Sequence, residues 1–185
     1  MYSTRIELIE LLKTAFKDVV REGGVSWQEA EVIDNYGSDA ERAFARNRDT
    51  DRHWTELLTA EEFYPSGIGG FCFLDPIGFR YYLPAALCLA LQKTQDTVFD
   101  INALGFHLHS TVGGLPADME LFSDEQLTAI AECLWFEAAE SEWGYQKDGS
   151  YIYLDDIDPE LSEYTFKITF EEVPPFWRKF LNPIP

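Results

Sequence analysis

Three groups of residues in this chain have the types and spacing for chemistry. His107 and His109 stand two positions apart. On a strand, positions i and i+2 share a face, so both imidazoles could ligate one ion. A third ligand would have to come from Asp100, His53 or the acidic loop further on. No HExxH and no paired CxxC accompanies the pair, so an exposed polar strand face is the simpler reading and no metal is expected. Arg42, Arg46, Arg48 and Arg52 form the only basic concentration. Arg42 and Arg46 share a helix face, and with Arg80 their planar forks would suit a carboxylate or another oxyanion. The competing fate is internal pairing with Glu41, Asp49, Asp51 or the acidic second half. The third group, Asp155-Asp156-Ile157-Asp158-Pro159-Glu160, offers carboxylates to a hard cation but lacks the glycine and the spacing of an EF-hand loop.

Other motifs are absent or in the wrong order. Ser66-Gly67-Ile68-Gly69-Gly70 precedes an apolar run rather than following a strand, so it does not form a phosphate loop. There is no GxSxG and no nucleotide fingerprint, so no catalytic residue is assigned and no cofactor is expected. The candidate ligand-binding set is therefore Arg80 and Tyr82, with Trp54 as a wall and Arg46 nearby.

These residues depend on the stretch from Phe71 to Leu91, FCFLDPIGFRYYLPAALCLAL, the densest apolar block of the chain. Asp75-Pro76-Ile77-Gly78 suits a type I turn, because proline pre-sets φ and aspartate bonds the turn backbone. The spacing predicts a buried β-hairpin over 71–83, with Arg80 and Tyr82 on one strand face. Pro84 then opens a buried helix.

Before this block, Thr4-x-x-Glu7, Ser26-x-x-Glu29 and Ser38-x-x-Glu41 are capping boxes that start three helices. A fourth helical segment runs through Trp54, Leu57 and Leu58. After the block, residues 104–110 alternate as a half-buried strand. Ser123-x-x-Gln126 opens a helix to about Ser141, with Leu127, Ile130, Leu134 and Ala138 inward and Glu132, Glu137 and Glu140 facing water. Residues 151–154 and 164–170 read as strands, and 171–185 is a Pro-bounded C-terminal tail. The expected fold is α+β, N-terminal helices packed with a mainly antiparallel sheet in a single domain of residues 1–185.

The chain has 185 residues and a formal net charge of −19. From Asp96 onward it carries 18 acidic and 4 basic residues. Such a field repels nucleic acid and anionic membranes and attracts a basic protein, a metal ion or a cationic ligand. Cys72, Cys88 and Cys133 are widely spaced and read as small buried hydrophobes in a reducing cytoplasm. No signal peptide precedes the first helix, and no apolar run is long enough to span a bilayer.

Asp34-Asn35-Tyr36-Gly37, then Arg48-Asp49 with Trp54 following, then FLDPIGFRYYLPA from Phe73 to Ala85, resemble an uncharacterised family of small bacterial proteins. The resemblance covers about Phe16 to Trp135, and the tail after Trp143 lies outside it. It implies a bacterial cytosolic origin and no activity.

The composition and the lack of a catalytic signature favour a non-enzymatic, interaction or immunity-type module whose acidic half engages a basic protein. A small-molecule- or metal-dependent enzyme with its site near the hairpin is the second expectation. A homodimer with an aromatic interface is the third.

Overall fold

The computed structural model describes residues 4–65, 70–92, 104–108, 117–143, 173 and 175–181. Among them every regular element is helical and no strand occurs, which overturns the expected α+β fold and its antiparallel sheet. The chain forms two compact units, Phe16–Phe122 and Met1–Ala15 with Ser123–Pro185. The strands expected at 151–154 and 164–170, the acidic loop 155–160 and His109 lie outside the described residues.

In the Phe16–Phe122 unit, α2 (Trp27–Asp34) and α3 (Asp39–Arg46) begin at the capping boxes read from the sequence. Ser26 and Ser38 each accept from the backbone N–H three residues on, and Glu29 and Glu41 reach back to the cap N–H groups. These bonds satisfy donors that every helix start leaves open. Trp54–Thr59 and Gly70–Phe73 are 3₁₀ turns.

The expected hairpin is instead the start of α4, Pro76–Gln92. Asp75 caps this helix, its Oδ1 accepting from Gly78 N–H at 2.7 Å and from Val25 N–H at 3.0 Å. Pro76 takes the first helical position, where a missing N–H costs nothing. Asp-Pro-x-Gly suits a cap as well as a β-turn, and the long apolar run behind it decides for the helix. Gly78 lies so close to the Val25 carbonyl that a Cβ would collide with it. Pro84 lies inside α4 rather than opening it, so one backbone bond of the ladder cannot form. Burial on every side holds the helix through that loss, as Tyr81 to Cys88 are all buried.

Aromatic rings fill this unit. Trp27 meets Phe63 edge-on with centroids 4.7 Å apart, Phe71 at 5.3 Å and Tyr82 at 5.5 Å. Phe79 continues the chain of rings to Phe122, and Phe122 to Phe16. A short helix, α5 (Gly105–Leu108), carries His107. The half-buried strand expected over 104–110 is thus replaced, across its described part, by helical turns.

In the other unit, α1 (Arg5–Ala15) packs on α6 (Asp124–Trp143). The fourth capping box is present, with Ser123 and Gln126 exchanging hydrogen bonds at 3.2 and 3.3 Å. The Gln126 side-chain amide also donates to the Ala15 carbonyl at 3.1 Å. Leu127, Ile130 and Leu134 face inward as expected, but Glu132 and Glu137 are buried too, at 3% and 8% exposure, rather than facing water. α7 (Pro175–Arg178) packs on α6 and buries Trp177.

Candidate functional site

Two aspartates follow α3 and face Arg21, a residue from the turn before α2. Arg21 donates from Nη1 to the Tyr82 hydroxyl at 2.7 Å and from Nη2 to the Asp49 carbonyl at 2.9 Å. Its guanidinium also lies 3.9 Å from the Asp49 carboxylate and 3.8 Å from that of Asp51. Tyr81 donates to Asp51 Oδ2 at 2.5 Å. The Tyr82 hydroxyl accepts a second bond, from Trp27 N–H at 3.0 Å. Asp49 Oδ2 accepts from Gln28 N–H at 2.9 Å, and the Gln28 side chain donates to Glu62 at 2.9 Å. The first turn of α2 is thus tied to α4 and to the 49–51 segment through side chains.

Burial sets the protonation of this group. It raises the Tyr81 and Tyr82 hydroxyls well above the ordinary phenol range, and for Tyr81 the bond to Asp51 adds to the shift. Burial pushes the Asp49 carboxyl up, against the hydrogen bonds of Ser26 and Gln28 and the charge of Arg21. Burial pulls Arg21 down, but Tyr82 and the two aspartates outweigh it and keep the guanidinium charged.

Beside this network is a pocket of about 250 Å³. Among the described residues, Asp49, Asp51, Glu56 and Glu62 line it against one cation, Arg48, and Trp27, Leu57 and Phe63 give it apolar walls. The Asp49 and Asp51 carboxylates are deep, with side chains 9% and 12% exposed. Glu56 and Glu62 are exposed at the rim. Four carboxylates beside an indole and a phenyl ring suit an ammonium or guanidinium group, through charge and through the ring faces.

The residues expected to bind a ligand are not gathered in that pocket. Arg80 is half-buried on α4. Tyr82 is fully buried and its hydroxyl holds Arg21 and Trp27. Trp54 is also fully buried, its indole N–H donating to the Phe16 carbonyl at 2.9 Å. Arg46 grips Glu29 with two bonds, Nε to Oε2 at 2.6 Å and Nη2 to Oε1 at 2.7 Å, and Arg42 adds a third at 3.3 Å. Burial raises the Glu29 carboxyl, but Arg46, the Ser26 N–H and Arg42 outweigh it and hold it below the usual range. Internal pairing is the competing fate of this arginine pair, and its partners are Glu29 and, for Arg42 at 3.8 Å, Asp39, rather than Glu41, Asp49 or Asp51.

His107 Nε2 lies 3.7 Å from the Cys72 sulfur, and its ring sits against Phe71 and Phe79. Among the described residues no group of three or more His, Cys, Asp or Glu side chains is placed to hold a metal. Cys88 and Cys133 are buried as expected, whereas Cys72 is exposed. Among the described residues no helix is long and apolar enough to cross a membrane.

Sequence reading missed Arg21, Trp27, Asp49, Asp51, Glu56, Glu62 and Phe63 as a set. Arg21 stands alone beside a Gly-Gly turn, and nothing local marks its partners. The one available signal is Asp49 and Asp51 lying between Arg48 and Arg52, which suggests pairs for the neighbouring arginines instead.

A model of the family of unknown function DUF6714 matches residues 4–164. The match extends past Trp143, where the resemblance read from the motifs stopped. No curated protein and no solved structure matches the chain.

Proposed function

The chain belongs to this family of unknown function, and we propose that it is a non-enzymatic binding module that takes a lysine or arginine side chain of a basic protein into the acidic pocket. One observation carries this reading. Asp49, Asp51, Glu56 and Glu62 line one pocket with Trp27 and Phe63, and among the described residues Arg48 is its only cationic lining residue. A net charge of −19 adds a long-range field that steers a basic partner toward the surface.

The division of labour follows from exposure. Glu56 and Glu62 are at the rim, where water screens them, so each adds a modest share of the affinity, mainly through the association rate. Asp49 and Asp51 are partly dehydrated, so a cation reaching them gains more from each contact. At an effective dielectric constant of about 20, a unit charge 4 Å from a carboxylate gains about 4 kcal/mol before desolvation is counted. Arg21 behind the aspartates takes up part of their charge and fixes their geometry. An anionic ligand would meet four carboxylates, so the pocket selects against it.

The test is binding of a short lysine-rich peptide to the whole chain, followed across salt concentration and with Glu56 and Glu62 replaced by glutamine.

A further inference from the structure

A second surface of the Phe16–Phe122 unit has features that the pocket does not use. Between α2 and α3 runs a groove of about 560 Å³, with Val32, Ala40, Phe44 and Ala45 among its lining residues. Phe44 is 69% exposed and Tyr36, at the end of α2, is 98% exposed. Tyr36 also has φ of +56°. This left-handed position just beyond a helix is usually given to glycine, because a Cβ is penalised there. The ring of Tyr36 makes up none of that penalty by burial in the free chain. A large exposed aromatic held in an unfavourable backbone conformation, between Asn35 and Gly37 that line the groove, is placed for a contact outside the chain.

The charge around the groove indicates what would cover it. Glu31 and Glu41 line it. The Glu41 carboxyl, held by the Ser38 hydroxyl and N–H, stays below the usual range and is ionised. Asp34 and Asp39 are exposed at the facing helix ends. The nearby Arg46 is committed to Glu29, and Arg42 to Glu29 and, at 3.8 Å, to Asp39, which leaves Glu31, Asp34 and Glu41 as the carboxylates a partner meets. A second copy of this chain would bring these carboxylates against their own equivalents across a two-fold interface, in a molecule of net charge −19. Arg48 lines both the groove and the acidic pocket, so one segment of a partner can reach both.

We infer that the α2–α3 groove docks an apolar, lysine- or arginine-flanked segment of a basic protein, with Tyr36 and Phe44 as its anchors. This inference rests on the reading of the acidic pocket and names the partner segment more closely. Tyrosine at the centre of an interface is a common source of binding energy.

The experiment is selection of a random dodecamer phage library on the whole chain, with affinities of the enriched peptides then measured on three variants. Tyr36→Gly removes the ring and relieves the backbone, so its thermal midpoint should not fall. Phe44→Ser removes the second anchor, and the double variant Glu56→Gln/Glu62→Gln weakens the pocket. The expected result is enrichment of apolar residues flanked by Lys or Arg, with affinity reduced about tenfold or more by Tyr36→Gly and by Phe44→Ser. Peptides that bind both groove variants as well as the wild type, yet weaken on the pocket variant, would overturn the groove and leave the pocket reading in place. Absence of any enrichment, or enrichment without Lys or Arg, would overturn the inference. So would a dimer in light scattering at low salt that Phe44→Ser dissociates.

Discussion

Arg21 and Tyr82 are 61 positions apart in the chain and meet at 2.7 Å, the guanidinium donating to a hydroxyl that also accepts the Trp27 N–H at 3.0 Å. One buried oxygen thus fixes the start of α2 and the floor behind the acidic pocket. Tyr82→Phe removes that acceptor from the buried Trp27 N–H and from one N–H of the part-buried Arg21. The expected cost is about 2 kcal/mol, read as a lower midpoint in urea denaturation. A midpoint equal to wild type would mean that the bond contributes nothing net.

Glu29 is the second buried anchor. Its side chain is 2% exposed, whereas Arg42 and Arg46 are 36% and 46% exposed. The partners are open to water, so the loss on Glu29→Gln should be about 2 kcal/mol, below the range for a wholly buried pair. The folded carboxyl titrates below its unfolded value. Its stabilisation is therefore complete above the unfolded value, about pH 4.3, and disappears as pH falls through the folded one. The gap in stability between wild type and Glu29→Gln should accordingly close on acidification, which denaturation midpoints at several pH values would show. A gap that stays constant below that range would contradict the assignment.

The helical part of the fold was legible wherever the capping chemistry was local. Ser26 with Glu29, Ser38 with Glu41 and Ser123 with Gln126 each set a helix start within four residues, and all three helices begin there. The central block was misread because Asp75-Pro76-Ile77-Gly78 has one local chemistry and two global uses. A carboxylate that accepts from Gly78 N–H serves a turn or a cap equally well. Val25, 50 positions away, donates to the same oxygen, and that contact is invisible in the sequence. The candidate site fared similarly. Tyr82 is expected to share a strand face with Arg80 and orient an anionic group; instead it is the hub of a network. Its partner Arg21 is far off in sequence, and the carboxylates that face Arg21 were assigned as counter-ions to other arginines. Arg46 was noted for its helix face, but the residue it grips, Glu29, was visible only as half of a capping box.

Cysteine reactivity should follow exposure. Cys72 is exposed, while Cys88 and Cys133 are fully buried. Burial and the charge of Asp34 push the Cys72 thiol up, so it is a slow nucleophile at neutral pH. Native protein treated with iodoacetamide should take up one label, at Cys72, at a rate that increases with pH beyond the ordinary thiol range. Peptide mass mapping that finds Cys88 or Cys133 labelled first would contradict the packing around α4 or α6.

Binding of a cation in the pocket should depend on pH through Asp49. Burial raises its carboxyl above the ordinary aspartate range, which lies near about 3.9. An ionised Asp49 is required to hold the cation, so affinity for a lysine-rich peptide should begin to fall at a higher pH than an ordinary aspartate would give. Asp49→Asn should lower affinity at neutral pH and flatten this early part of the profile. An unchanged profile in the variant would remove Asp49 from the site.

The central claim is that the pocket lined by Asp49, Asp51, Glu56 and Glu62 receives a cationic side chain. Its most direct test is fluorescence anisotropy of a labelled, apolar-free lysine peptide titrated with the whole chain at low and at physiological salt, for the wild type and for Glu56→Gln/Glu62→Gln. The account predicts saturable binding that weakens as salt rises and falls by about tenfold in the double variant, each lost rim charge contributing about 0.7 kcal/mol. Absence of binding at low salt, or binding that the double variant leaves unchanged, would contradict it.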